Sequence, residues 1–115
     1  MKPAAGAGGD PLDLITRYQG SAIIGTAVET GAADAIARGP RDVGAVAAEL
    51  GTDPDATARL LAALVALDLA ELGADGFALS AAGSSLASDA ADSIAEIVRK
   101  EWFFYRAWAT LPQAI

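Results

Sequence analysis

The sequence predicts a mostly α-helical fold built on a winged helix-turn-helix with a small β-hairpin, flanked by extra N- and C-terminal helices. Three observations predict it. A short apolar-faced helix is closed by Gly51, an Asp53-Pro54 pair starts a longer helix, and a turn over Gly73-Ala74-Asp75-Gly76 separates two short β-prone runs.

In the first of these helices Val43, Val46, Ala47 and Leu50 recur at helical spacing behind Arg41 and Asp42, which gives it one apolar face, and Gly51 stops it. Asp53 places a capping carboxylate before a proline at the first helical position, where the missing N–H costs nothing. The helix that follows carries Leu60, Leu61, Leu64 and Leu67 on one side, leaves Asp55, Thr57 and Arg59 for solvent, and is expected to run to about Asp68. Asp55 is a favourable first-turn charge. Glu71-Leu72 and Phe77-Ala78-Leu79 then flank the turn of a hairpin wing, and Ser80 is expected to cap a further short helix through Leu86.

Upstream, Asp10-Pro11 repeats the cap-then-proline pattern. Leu12, Ile15, Tyr18, Ala22 and Ile23 follow three-and-four spacing, continuing through Ala27 and Val28, with a break or bend expected near Gly20 or Gly25. A helix this apolar has little core of its own to enter, whereas a partner helix would bury it on both sides. That favours an intertwined dimer with Leu12, Ile15, Tyr18 and Ile23 at the interface; the alternative is a plain core helix folded onto the Leu60 face. Gly31 to Arg38 reads as a short helix ended by Gly39-Pro40, and its alanines imply close helix packing. Residues 1–9 read as a flexible tail and 10–115 as one domain.

Downstream, Asp89 is a candidate cap for a last long helix, with Ile94, Ile97 and Val98 forming an apolar stripe toward Trp102 and Trp108. Five aromatic residues crowd its end: Trp102, Phe103, Phe104, Tyr105 and Trp108. Successive helical residues turn by about 100°, so the five cannot share one face. Some must meet a second subunit or form the aromatic wall of a ligand pocket.

Composition narrows the function. Eight basic residues stand against 15 acidic ones, a net charge of −7, and the pI is near 4.3. Phosphate neutralisation by Lys and Arg supplies most nucleic-acid affinity. The candidate reading helix offers only Thr57 and Arg59 against Asp55 and Asp68, and the wing only Glu71 and Asp75, so no nucleic-acid partner is expected. Mean hydropathy is +0.35 and 53% of residues are hydrophobic, more than one domain of this size needs for its own core.

No run approaches the roughly 20 apolar residues of a membrane span. No secretory leader pattern opens the chain, which leads to the expectation of a cytoplasmic protein. With no histidine and no cysteine, Ser84 and Ser85 lack an activating base and no metal-ligand set is visible. The Gly6-Ala7-Gly8-Gly9 cluster follows no strand, so it is not a nucleotide-binding turn. No catalytic, metal or cofactor site is therefore assigned to this chain.

The ordered phrases Glu29-Thr30-Gly31-Ala32-Ala33-Asp34-Ala35-Ile36, Gly39-Pro40-Arg41, Ala47-Ala48-Glu49-Leu50-Gly51-Thr52-Asp53-Pro54, Arg59-Leu60-Leu61-Ala62-Ala63-Leu64-Val65-Ala66-Leu67, Phe77-Ala78-Leu79-Ser80 and Trp102-Phe103-Phe104-Tyr105-Arg106-Ala107-Trp108 carry a resemblance. Together they resemble the N-terminal dimerisation domain of small-molecule O-methyltransferases that use S-adenosylmethionine, of the natural-product and plant phenolic type. The resemblance covers Leu12 to Ile115 and departs from the family where Thr30 and Ala33 replace larger apolar residues. It implies a homodimer, and a Rossmann-like catalytic domain, in cis or in trans, that brings the cofactor loop and commonly a histidine base.

By the same resemblance Trp102, Phe103 and Arg106 are the candidates to face an acceptor. The aromatics would sandwich a flat ring, and the cation would meet a phenolate or carboxylate. Arg106 could equally pair with Glu101. The run Trp108 to Ile115 enters a new helix without a cap, which suggests a piece of a longer enzyme. The alternatives are a free-standing partner of a biosynthetic enzyme and, behind it, a winged-helix transcription regulator.

Overall fold

In the computed structural model, which describes residues 9–115, aspartate caps start three of the helices. Asp10 accepts a hydrogen bond from the Leu12 amide at 3.1 Å and opens α1 (Pro11–Thr16), which gives way at Arg17 to α2 (Tyr18–Glu29) and then α3 (Ala32–Ala35). Asp42 accepts from the Gly44 and Ala45 amides at 3.0 and 3.3 Å and opens α4 (Val43–Leu50). Asp53 accepts from Ala56 at 2.8 Å and opens α5 (Pro54–Ala66). Each cap satisfies amide donors that the first helical turn leaves free. Strands β1 (Ala70–Gly73) and β2 (Gly76–Leu79) follow, then a 3₁₀ turn over Ser84–Leu86, α6 (Ala95–Trp108) and α7 (Leu111–Ala114).

The core lies where α2, α3, α4, α5 and β1 converge. Ile36, Leu61, Leu64 and Val46 are its largest fully buried side chains, and Ala27, Ala32, Ala33 and Ala35 fill the space between helices. Those alanines let α2 and α3 approach closely, as the sequence implies. Among the described residues, the buried polar side chain is Thr57 on α5. Its hydroxyl donates to the Asp53 carbonyl at 2.7 Å and meets the Thr52 hydroxyl at 2.6 Å, so it enters the interior fully paired.

The hairpin is antiparallel, with Ala70 opposite Leu79 and Gly73 opposite Gly76. Arg41 adds an outer rung: its amide and carbonyl exchange two 2.8 Å hydrogen bonds with those of Phe77. The same residue's guanidinium donates to the Ala35 carbonyl at 3.3 Å and pairs with Glu49 at 2.7 Å. One residue thus links the end of α3, the outer side of α4 and β2. The rung needs Gly76, whose φ is +118° and where an added Cβ would lie 2.2 Å from the Arg41 carbonyl oxygen.

Several expectations change. The helix break falls at Arg17, because the Thr16 hydroxyl bonds back to the Leu12 and Asp13 carbonyls, each at 3.1 Å, while Gly20 and Gly25 stay inside α2. The α3 helix stops at Ala35, giving way to turns instead of reaching Arg38. Thr57 is buried, because Asp53 and Thr52 satisfy its hydroxyl. The α5 helix ends at Ala66, shortly before Asp68 turns left-handed at φ +62°.

Ser80 caps a tight turn and not a helix; it accepts from the Gly83 amide at 3.1 Å and donates to the Asp68 carbonyl at 2.7 Å. The last long helix begins at Ala95, not beside Asp89: Ser93 accepts the Ala95 amide at 3.1 Å, the Ile94 amide donates to the Ser85 carbonyl, and Ser88, just before Asp89, is held by Asp34 of α3. Of its expected stripe, Val98 packs on the core while Ile94 and Ile97 are exposed. The tail expected over residues 1–9 lies outside the described residues except for Gly9, which is exposed and in no helix or strand.

Truncating the buried Leu64 to alanine is expected to cost about 2–5 kcal/mol of unfolding free energy in a urea titration. Gly76→Ala is expected to cost roughly 2 kcal/mol or more, because it combines a strained φ with a clash against Arg41. Gly73→Ala, where an added Cβ meets nothing within 4 Å, should shift the urea midpoint far less.

Candidate functional site

The aromatic-rich end of α6 lies along α2. Gly25 is buried there, and a Cβ added to it would stand 2.5 Å from the Trp102 ring, so the indole rests on bare helix backbone. On α6 itself the three-and-four spacing brings neighbours onto Trp102. Tyr105 stacks on it with ring centres 5.0 Å apart and planes 14° from parallel. The Arg106 guanidinium sits 5.8 Å from the Trp102 ring centre and pairs with Glu29, at the end of α2, at 3.5 Å. Arg106 thus ties α6 to α2, and Glu101 is not its partner.

The start of α6 is held by different chemistry. The Asp34 carboxylate accepts from the Ser88 amide at 2.7 Å and from its hydroxyl at 2.8 Å. Arg99 donates to that hydroxyl at 3.3 Å and also pairs with Glu96. The Ile94 amide donates to the Ser85 carbonyl at 2.8 Å. With both ends fixed, α2 and α6 enclose an open cleft of about 310 Å³. Ser21, Ile24 and Gly25 form its α2 side; Trp102, Tyr105, Trp108 and Glu101 form much of its α6 side.

Of the three acceptor-facing candidates, the cleft lining takes Trp102 alone. Phe103 points elsewhere, 63% exposed and edge-on to Phe104 at 5.8 Å, and Arg106 lies outside the lining against Glu29. Tyr105, Trp108, Glu101 and Gly25 line the cleft without having been singled out; the aromatic cluster was visible, but the glycine that completes it sits more than 70 residues earlier. Among the interface candidates, Leu12 and Ile15 are 69% and 68% exposed and Tyr18 is also exposed, while Ile23 is partly buried against the core. None of the α1 residues is buried.

Among the described residues no group of three or more His, Cys, Asp or Glu side chains could hold a metal ion. The Ser84 hydroxyl donates to the Ala81 carbonyl at 2.9 Å and closes a turn. The two strands face each other in a hairpin, and no strand among the described residues leads through a glycine-rich turn into an α-helix. The β1–β2 hairpin exposes Glu71, Leu72 and Asp75. No helix among the described residues is long and apolar enough to cross a membrane.

Exposed apolar side chains stand on helices toward both ends of the described residues, Leu12 and Ile15 on α1 and Phe103 and Trp108 on α6, with the two-stranded hairpin between them. Residues 12–89 match the family model of the O-methyltransferase dimerisation domain, and the chain belongs to that family. It is similar to an O-demethylpuromycin-O-methyltransferase of Streptomyces alboniger, 39% identical over 106 residues, covering 90% of this chain and 28% of that enzyme. A 3-amino-4-hydroxybenzoate 4-O-methyltransferase of Streptomyces cremeus is 39% identical over 111 residues, covering 90% of this chain and 29% of that enzyme. A solved O-methyltransferase family protein from Burkholderia thailandensis superposes with a TM-score of 0.78 at 30% identity, covering 91% of this chain and 32% of the other. The chain thus spans under a third of the length of the curated relatives it matches.

Gly25→Ala is expected to displace Trp102, shifting tryptophan emission to longer wavelength and lowering stability by roughly 1–3 kcal/mol in urea titration. Gly20→Ala, on the same helix with nothing within 4 Å of the added Cβ, should leave emission unchanged and stabilise by up to about 1 kcal/mol.

Proposed function

We propose that this chain is the non-catalytic, dimer-forming and pocket-closing domain of a natural-product O-methyltransferase, working in the cytoplasm. The observation that carries this reading is the uncovered apolar surface toward both ends of the chain: Leu12 and Ile15 on α1, Tyr18 at the start of α2 and Leu111 at the start of α7. A lone domain leaves that surface in water, whereas an intertwined homodimer buries it. Helices α4 and α5 with the β1–β2 hairpin act as a winged helix-turn-helix turned to protein contacts, in keeping with a net charge of −7 and a wing without a basic residue.

Methyl transfer belongs to a Rossmann-like catalytic domain, supplied in cis by the rest of a longer subunit or in trans by a partner. That domain would hold S-adenosylmethionine and the general base. This chain would close over the acceptor with α6, where Trp102 offers a flat aromatic surface, Phe103 an exposed ring toward the catalytic domain, and Arg106 a cation at the rim. The S. cremeus relative, named for an aromatic hydroxy acid, supports an aromatic acceptor.

Sedimentation velocity across a dilution series tests the assembly. The expected result is a dimer that persists to low micromolar concentration; a monomer throughout would overturn the reading. Full burial of one large aliphatic side chain contributes about 1.5–3 kcal/mol, and symmetry counts it twice. Ile15→Lys is therefore expected to weaken the dimer about a hundredfold or more while leaving the unfolding midpoint of the monomer unchanged, since Ile15 touches no buried core.

A further inference from the structure

Four aromatic rings and one carboxylate line the α2–α6 cleft: Trp102, Phe104, Tyr105, Trp108 and Glu101, with no lysine or arginine among the lining residues. Such a composition suits one kind of ligand. Aromatic faces carry negative quadrupole density and attract organic cations, and a carboxylate beside them adds a point of charge recognition.

Two further observations point the same way. Among the described residues Glu101 makes no hydrogen bond or ion pair, although Glu96 on the same helix is paired with Arg99. The aromatic group already attracts a cation of its own, since the Arg106 guanidinium sits 5.8 Å from the Trp102 ring centre while turned outward to Glu29. An anionic group inside the cleft would meet Glu101, whereas the nearest cation, Arg106, lies outside the lining and is paired with Glu29. The volume, about 310 Å³, accommodates a single aromatic ring with a short amine-bearing arm.

We propose that this cleft binds arylalkylammonium cations, and hence that the acceptor closed over by α6 is an aromatic compound carrying a basic amine. The link to the acceptor rests on the pocket-closing role proposed above; binding of the cation by this chain does not. The aromatic moiety lies against Trp102 and Trp108, and the ammonium group faces Glu101.

Both tryptophans of the chain line the cleft, so intrinsic fluorescence reports its occupancy directly. Three probes share one skeleton and differ in charge: phenethylammonium, 2-phenylethanol and phenylacetate, each titrated into the 115-residue chain. Phenethylammonium is expected to bind about tenfold more tightly than the alcohol, with phenylacetate weakest. In Glu101→Gln the cation is expected to lose roughly fivefold in affinity while the alcohol is unaffected.

Equal binding of all three probes, or no response up to their solubility limits, would overturn the proposal. Sedimentation in the same buffers separates it from the assembly reading. A dimer that binds none of the probes retires the cleft and keeps the dimer; a monomer that selects the cation does the reverse.

Discussion

The contact of Trp102 with the bare backbone of α2 at Gly25 governs everything built on the last long helix. It sets how closely α2 and α6 approach, and so the width of the cleft between them. Arg106 and Tyr105 organise themselves around that indole, one bridging to Glu29 and the other stacking at 5.0 Å. At the other end of α6, Asp34 and Ser88 hold the incoming chain. A helix pinned by a shape fit at one end and hydrogen bonds at the other presents its remaining aromatic rings without depending on them for its own placement.

That division explains an unusual use of hydrophobic residues. The interior is filled largely by alanines with a few aliphatic side chains, Ile36, Leu61, Leu64 and Val46. Apart from Phe77, which packs against its edge, the bulkier aromatics are kept outside it. A small-residue core favours close helix packing, and it releases the large side chains for surfaces that meet a second subunit or a ligand. The family to which the chain belongs is defined by subunit pairing, and the distribution of apolar mass suits that role.

Much of the fold was legible because local chemistry determines it. Asp10-Pro11, Asp53-Pro54, Gly51 and the Gly73–Gly76 turn each act within a few residues, and each stands where the sequence places it. What was not legible depends on distant partners or competing bonds. Thr16 bonds back to two carbonyls and moves the helix break to Arg17. The α6 helix starts at Ala95, where Ser93 accepts its amide, and not beside Asp89, while Ser88 before it is tied to Asp34, 54 residues away.

For the site, the aromatic cluster was plain in the sequence. Its selection of Trp102, Tyr105 and Trp108 for the cleft was not, because α6 carries rings on several faces and only Gly25 on α2 determines which face lies inward.

The aspartate caps give the chain's acidity a second role. Asp10, Asp42 and Asp53 count toward the charge of −7 that disfavours phosphate backbones, yet each also bonds to the amides that begin a helix. Acidity here is partly architectural, because anions are favoured at helix starts whatever the protein binds. Converting α4 and α5 into a nucleic-acid reader would therefore require added surface cations around those positions, because neutralising a cap itself would cost its helix about 1 kcal/mol.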